Sequence, residues 1–392
     1  MSISISNKIE RGRELLIADP VRWVLAIVLV ALLLDLVRQL VGVQIVVPVV
    51  GITFGSETQV SELGVIIVDG LMRGLFFGLA GIGLSMTYSI LNFANFSHGD
   101  LITSGAFSGM AVTYVIAGGF GAATDGSLIP LVLVGTGQSV FGPSLGIGVA
   151  STPLAVVLGV VFAGGATILL ALLIDRFVYK PIRDRSGIAL LITSIGVAFV
   201  LRYLIQFVFG PSRRGVTNRE AIPELTVPFV DGTVGVNLHE VSLLVVGVSM
   251  MLGLHLVLQR TRLGKAMRAM ADNEDLARIT GIPTERVVTA TWIIGAGLAG
   301  VAGYMFVIWN GSLHWFQGWI LLLPIFAAVI LGGIGSIYGA IVGGLVIGLT
   351  MSLSVVWLPG DLRSLTRAAA FVIMIVVLLV RPEGIFAGRA TA

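Results

Sequence analysis

Runs of about twenty apolar residues recur along this chain, and nothing else constrains its fold so strongly. A helix rising about 1.5 Å per residue needs that many to cross a bilayer. The predicted spans are 22–42, 65–90, 100–119, 152–175, 188–209, 241–259, 287–309, 320–334, 337–357 and 365–381. With 56% hydrophobic residues, 11% charged residues and a mean hydropathy of +1.01, a soluble domain could not hide this apolar surface. Glycine makes up 51 of the 392 residues, and small residues let transmembrane helices approach closely. The fold class is therefore all-α, a polytopic transmembrane helical bundle of about 8–10 spans. Gly332, Gly333 and Gly335 interrupt 320–357, which reads either as a hairpin or as a re-entrant segment plus one full span. Segment 120–151, with Pro130 and Pro143, reads as an outer loop that partly dips into the membrane.

The absence of cysteine excludes disulfides, thiolate metal sites and cysteine nucleophiles. A net charge of +3 does not point to nucleic acid, because the basic residues gather at span edges, where cytoplasmic retention accounts for them. Lys8, Arg11 and Arg13 precede the first apolar run, but no small-residue cleavage site follows, so an uncleaved span is expected. The chain divides into 1–64, an N-terminal cytoplasmic segment with an extra first span and outer loop, and 65–387, the main membrane domain.

Charge sets the expected orientation. If the N-terminus is inside, sixteen Lys/Arg fall in inner segments and only Arg213, Arg214, Arg219 and Arg363 in outer loops. The positive-inside rule then puts both termini, and the loop 260–286, in the cytoplasm. That loop carries six Lys/Arg and four Asp/Glu. Leu263 to Ala271 favours helix, Asp272-Asn273-Glu274 supplies N-cap chemistry for a second short helix, and Gly281 with Pro283 ends it. A solvated helical loop and a surface held by a cytoplasmic partner are both compatible with these residues alone.

Four ordered motifs resemble those of the branched-chain amino acid ABC-importer permeases. Gly264, Arg268, Ala269, Asn273, Ala277 and Gly281-Ile282 are similar to that family's cytoplasmic motif. Leu91-Asn92-Phe93-Ala94-Asn95-Phe96-Ser97-His98-Gly99-Asp100 resembles its Asn-Phe-Ala-His-Gly segment followed by an acid, with extra residues before Ser97. Asp175-Arg176 with Tyr179-Lys180-Pro181-Ile182-Arg183 resembles its first cytoplasmic loop, and Ala328 to Ser336 with Gly339-Ala340 its glycine-rich element. The resemblance spans about residues 65–387. The extra first span and the long 120–151 loop depart from the family pattern.

The resemblance implies an inner-membrane permease subunit of a prokaryotic importer, multi-pass in the cell membrane. It implies a second permease, homologous or identical, two cytoplasmic ATPase subunits and an extracytoplasmic solute-binding protein, with membrane lipid and a small-molecule substrate but no nucleic acid. Residues 264–281 would transmit ATPase closure to the spans. The chain contains no GxxxxGK[ST] loop, so no nucleotide cofactor is expected on it and ATP would be bound by partner subunits. Branched-chain amino acids are the expected substrate; urea or another small polar solute is the alternative within the class, and a stand-alone transporter or channel the alternative outside it. No enzymatic constellation is visible.

Polar residues at membrane depth are pathway candidates. Asn92, Phe93, Ser97, His98, Gly99 and Asp100 either cap a tight inner turn or pack against and line the pathway. Gly332, Gly333 and Gly335 join them as pathway or packing candidates. Arg202, deep in 188–209, lines a water-filled cavity or pairs with a carboxylate elsewhere on one reading, and snorkels outward on the other. Asp35 with Arg38, and Asp69 with Arg73, are spaced to neutralise each other on one helix face. Trp309, Asn310, His314, Trp315 and Trp319 read as an aromatic belt at an outer span end, with contact to the binding protein as the other reading. The histidines lack metal-ligand spacing, and no metal site is expected.

Overall fold

The structure is a computed structural model that describes residues 20–43, 45–47, 52–54, 58–119, 147–216, 222–229, 231–358 and 360–386. Twelve α-helices are described: α1 Pro20–Leu40, α2 Val60–Leu91, α3 His98–Gly119, α4 Pro153–Ile174, α5 Gly187–Phe209, α6 Leu238–Arg260, α7 Arg262–Asp272, α8 Glu274–Ile279, α9 Thr284–Asn310, α10 Gln317–Gly332, α11 Ile337–Leu353 and α12 Thr366–Val380. Among the described residues, eight are long and apolar enough to cross a membrane: α2, α3, α4, α5, α6, α9, α11 and α12. The chain is a multi-pass helical bundle, as its apolar runs lead one to expect.

Burial orders these helices. The span in α9 is 83% buried and that in α12 only 6%, so α9 is the central post and α12 lies on the rim. Close approach around α9 depends on small residues: a Cβ on Gly303 would meet the Ile102 carbonyl oxygen at 2.1 Å. Around it pack α2, α3 and α4, while α11 lies along most of α2. The exposed faces of α4, α5, α6 and α12 carry large apolar side chains such as Val161, Phe207, Leu252 and Leu379, which suits them to lipid.

The helix α2 ends on Asn92 in the left-handed region (φ 53°), and the chain then folds back beside it. The His98 Nε2 lies 2.9 Å from the Ala80 carbonyl oxygen, about three helical turns before the end of α2. The helix α3 therefore begins inside the bundle rather than at its edge. Its Gly99 abuts Gly318 at the start of α10, where a Cβ on Gly99 would sit 2.6 Å from the Gly318 carbonyl oxygen.

Residues 320–357 form α10 and α11, joined by a turn in which Gly333 and Gly335 have positive φ, and of the two only α11 is long and apolar enough to cross a membrane. The first arm starts at Gln317, has 16 residues and contains Pro324. Three short antiparallel ladders supplement the helices: β1 Ile45–Val47 with β2 Ile52–Phe54, β3 Arg214–Gly215 with β6 Ser312–Leu313, and β4 Glu224–Phe229 with β5 Gly232–Asn237. The last occupies what reads from the sequence as a polar loop; Thr and Val recur in both strands, which favours pairing. Asp231, between those strands, accepts from the amides of Val60 and Ser61 and ties the hairpin to the start of α2. The readings made for 1–19 and 120–146 lie outside the described residues.

Candidate functional site

At the end of the bundle opposite the β4–β5 hairpin, α7 and α8 form a bent arm, and each resembling residue has a definable part in its geometry. Thr261 caps α7 by accepting from the Gly264 amide. A Cβ on Gly264 would lie 2.1 Å from the Leu258 carbonyl oxygen, so only glycine lets α7 turn off α6 at this angle. The same carbonyl accepts from the Arg268 guanidinium at 2.6 Å. One carbonyl at the end of α6 is therefore reached by the two motif residues that set the elbow.

The rest of the motif closes the arm. The Asn273 side chain accepts from the Leu276 amide at 2.9 Å, which starts α8 as the residue order predicts. Ala277 is buried, Ala269 is half-buried, and Gly281 at φ 85° reverses the chain after α8. The helix α7 is strongly amphipathic. Gly264, Met267 and Met270 are buried on one face, while Arg262, Lys265 and Asp272 are exposed on the other. Met267 and Ala271 share a cleft with Met86, Ile90, Leu258 and Ile337, so α7 rests on the ends of α2 and α6 and on the α10–α11 turn. Nearby, Glu285 at the start of α9 accepts from Lys180 at 2.9 Å and from Arg183 at 2.8 Å, and Arg183 also donates to Asp175 at 2.7 Å.

Of the motif only Asn273 and Gly281 are exposed; the large apolar side chains that face away from the membrane domain are Leu276 (54% exposed) and Ile279 (80% exposed), flanked by Asp275, Arg278 and Thr280. Sequence reasoning overlooked both apolar residues. Their signal was available, since two large aliphatic residues three apart sit in an otherwise charged helix.

The second cluster lies inside the bundle. Asp100, in the first turn of α3, accepts from Arg202 of α5 at 3.1 Å (Nε) and 2.9 Å (Nη2), and neither side chain is more than 3% exposed. The guanidinium carbon lies 4.4 Å from the Trp319 ring centroid, 5.0 Å from Phe316 and 5.2 Å from Phe199. Of the two readings open for Arg202, snorkelling is excluded and pairing with a carboxylate is observed. The aromatic cluster also does more than border a membrane: Trp319 covers the guanidinium, and Trp309 lies under Arg73 at 5.4 Å.

Around this pair the 93–100 segment is committed to internal contacts, whereas Asn92 is exposed. Ser97 Oγ donates to Asn95 Oδ1 at 2.6 Å and meets the Tyr179 hydroxyl at 3.0 Å. Phe93 packs on Tyr179, which stacks on Trp292. The Phe96 amide donates to Ser194 of α5 at 3.0 Å. Gly332 presses on the facing arm, where a Cβ would lie 1.9 Å from the Gly339 carbonyl oxygen. The expected pairs Asp35–Arg38 and Asp69–Arg73 both form, each at 2.7 Å. Among the described residues, no group of three or more His, Asp or Glu is placed to hold a metal ion.

Spans threaded past one another, a charged pair buried among them and a folded polar arm at one end define a multi-pass helical membrane protein. The chain belongs to the family described as "Branched-chain amino acid transport system / permease component", which matches residues 66–380. It is 28% identical over 325 residues to the high-affinity branched-chain amino acid transport system permease protein LivH of Salmonella typhimurium, covering 81% of this chain and 93% of that one. It is likewise 28% identical over 326 residues to the permease protein BraD of Pseudomonas aeruginosa, covering 81% and 94%. Among solved structures, PsaBC from Streptococcus pneumoniae in complex with Fab aligns over 83% of this chain and 94% of that chain, at 15% identity and a TM-score of 0.40.

Proposed function

We propose that this chain is the membrane-spanning permease subunit of an ATP-binding-cassette importer that carries branched-chain amino acids into the cell by alternating access. Two such subunits, identical or homologous, pair in the membrane, a binding protein delivers solute outside, and two ATPase subunits dock on α7 and α8 inside. Family membership and the likeness to LivH and BraD support this reading. The observation that carries it is the arm itself. Its glycine and arginine fix an elbow on α6, its asparagine starts α8, and α8 presents Leu276 and Ile279 as an apolar knob amid charge. Water-exposed aliphatic side chains on a braced, polar-rimmed surface fit a protein partner. Closure of the ATPase pair would push α7 against the ends of α2 and α6 and so tilt the spans that border the centre.

Orientation and docking are tested together, because the chain has no cysteine of its own. A single Asp275→Cys is expected to react with an impermeant thiol reagent only from the cytoplasmic side, and several-fold more slowly once the ATPase subunits are bound. Thr226→Cys, in β4, is expected to react only from outside and at a rate indifferent to the ATPase. Reaction of Asp275→Cys from outside would overturn the orientation, and an unchanged rate in the assembled complex would overturn the docking surface.

A further inference from the structure

At the end bearing the β4–β5 hairpin, a cavity of about 430 Å³ opens between α2, α9, α10, α11 and α12, a size within the range of small-molecule sites. Its two levels differ in chemistry. The floor is apolar and formed by Phe77, Phe306, Leu321 and Pro324. The rim is cationic, with Arg73, Arg213 and Arg367, and among the described residues no carboxylate lines the cavity. Arg73 is already neutralised by Asp69 at 2.7 Å. Arg213 donates to the Ser312 hydroxyl at 2.8 Å but, like Arg367, has no ion-pair partner among the described residues. Two uncompensated guanidinium groups over a greasy floor are an unusual pairing for a surface that merely meets lipid.

From this geometry we infer that the cavity is a binding site for a small solute bearing both a carboxylate and an aliphatic side chain, the carboxylate held at the arginine rim and the aliphatic group on the apolar floor. Guanidinium groups match carboxylates in shape as well as charge. Gln317, on the cavity wall, has a side-chain carbonyl that accepts from the His314 amide at 3.3 Å and keeps a second lone pair for an ammonium group. His314 does not add to the positive charge, because its burial and the nearby Arg213 both lower its pKa. Its Nδ1 accepts from the Phe316 amide at 3.2 Å, which leaves the proton of the neutral ring on Nε2. In the orientation proposed above the cavity opens outward, where a binding protein would release such a solute. The inference rests on the permease reading and adds the site at which solute is first held.

The test uses the full complex in liposomes with Ile320→Cys, on the cavity wall, as the one cysteine. Rates of reaction with an anionic sulfonatoethyl methanethiosulfonate and with a cationic trimethylammonium analogue are each divided by that reagent's rate on free thiol. The normalised anionic rate is expected to exceed the cationic one by about tenfold, as a cationic cleft focuses anions, and Arg213→Gln with Arg367→Gln should bring the ratio near one. L-Leucine should slow the labelling several-fold, whereas isoamylamine, which lacks the carboxylate, should not. A ratio at or below one overturns the site, as does protection by an anionic phospholipid but not by leucine. ATP-driven leucine uptake by the unaltered complex reports separately on the permease reading, so a failure there is distinguishable from a failure of the cavity.

Discussion

Replacing Arg202 with methionine is expected to destabilise the protein by about 3–5 kcal/mol, the cost of leaving one member of a buried ion pair without the other. The pair joins elements distant in sequence: Asp100 at the start of α3 and Arg202 in α5. The aromatic rings of Phe316 and Trp319, at the start of α10, pack on the guanidinium. One charge cluster thus ties the interior start of α3 to α5 and to the head of the α10–α11 hairpin. In Arg202→Met the Asp100 carboxylate keeps its burial and loses both hydrogen bonds. The double variant Asp100→Leu with Arg202→Met removes both charges and is expected to regain most of the lost stability, since buried pairs replaced by apolar residues of similar volume are often neutral. Arg202→Lys should rescue poorly, because an ammonium cannot make the two parallel bonds. Thermal unfolding in detergent, followed by tryptophan fluorescence, checks all three. Unfolding of Arg202→Met at the wild-type temperature would show that the pair does not hold these helices together.

The second large effect is expected at the elbow. Gly264→Ala adds one methyl group, whose carbon would sit 2.1 Å from the Leu258 carbonyl oxygen. That contact is with backbone, so no rotamer relieves it and α7 must shift by about an ångström or more. Arg268→Glu attacks the same joint differently, by removing the 2.6 Å bond to that carbonyl. If α7 conveys ATPase motion to the spans, either change should lower uptake per ATP hydrolysed by a factor of about 5–150, the usual range of a coupling free energy. Membrane insertion and basal hydrolysis should persist, because in the proposed assembly the ATPase site belongs to another chain. Wild-type uptake per ATP in both variants would remove α7 from the coupling route.

How much of this could be read in advance depended on the range of the interaction. The spans were legible because each is a local run of apolar residues, and the break at Asn273 because capping acts within three residues. The partner of Arg202 was not legible. Asp100 lies 102 residues away, and nothing local distinguishes it from the acid of a helix cap. The packing of α10 against α11 rests on the close contact of Gly332 with Gly339, which composition cannot reveal. Residues of the cytoplasmic motif could be picked out as a set, yet their roles could not. Gly264 and Ala277 are buried, Arg268 reaches back to the Leu258 carbonyl and the exposed Asn273 caps α8, while the outward apolar knob is made by Leu276 and Ile279.

The central claim is that this chain moves solute only when a separate ATPase drives it. Its most direct test is leucine accumulation in liposomes containing the purified chain and its partner permease, fed by the loaded binding protein, with and without the ATPase subunits and ATP. Accumulation against a gradient only when ATPase and ATP are both present is the predicted result. Accumulation by the membrane subunits alone would contradict the account.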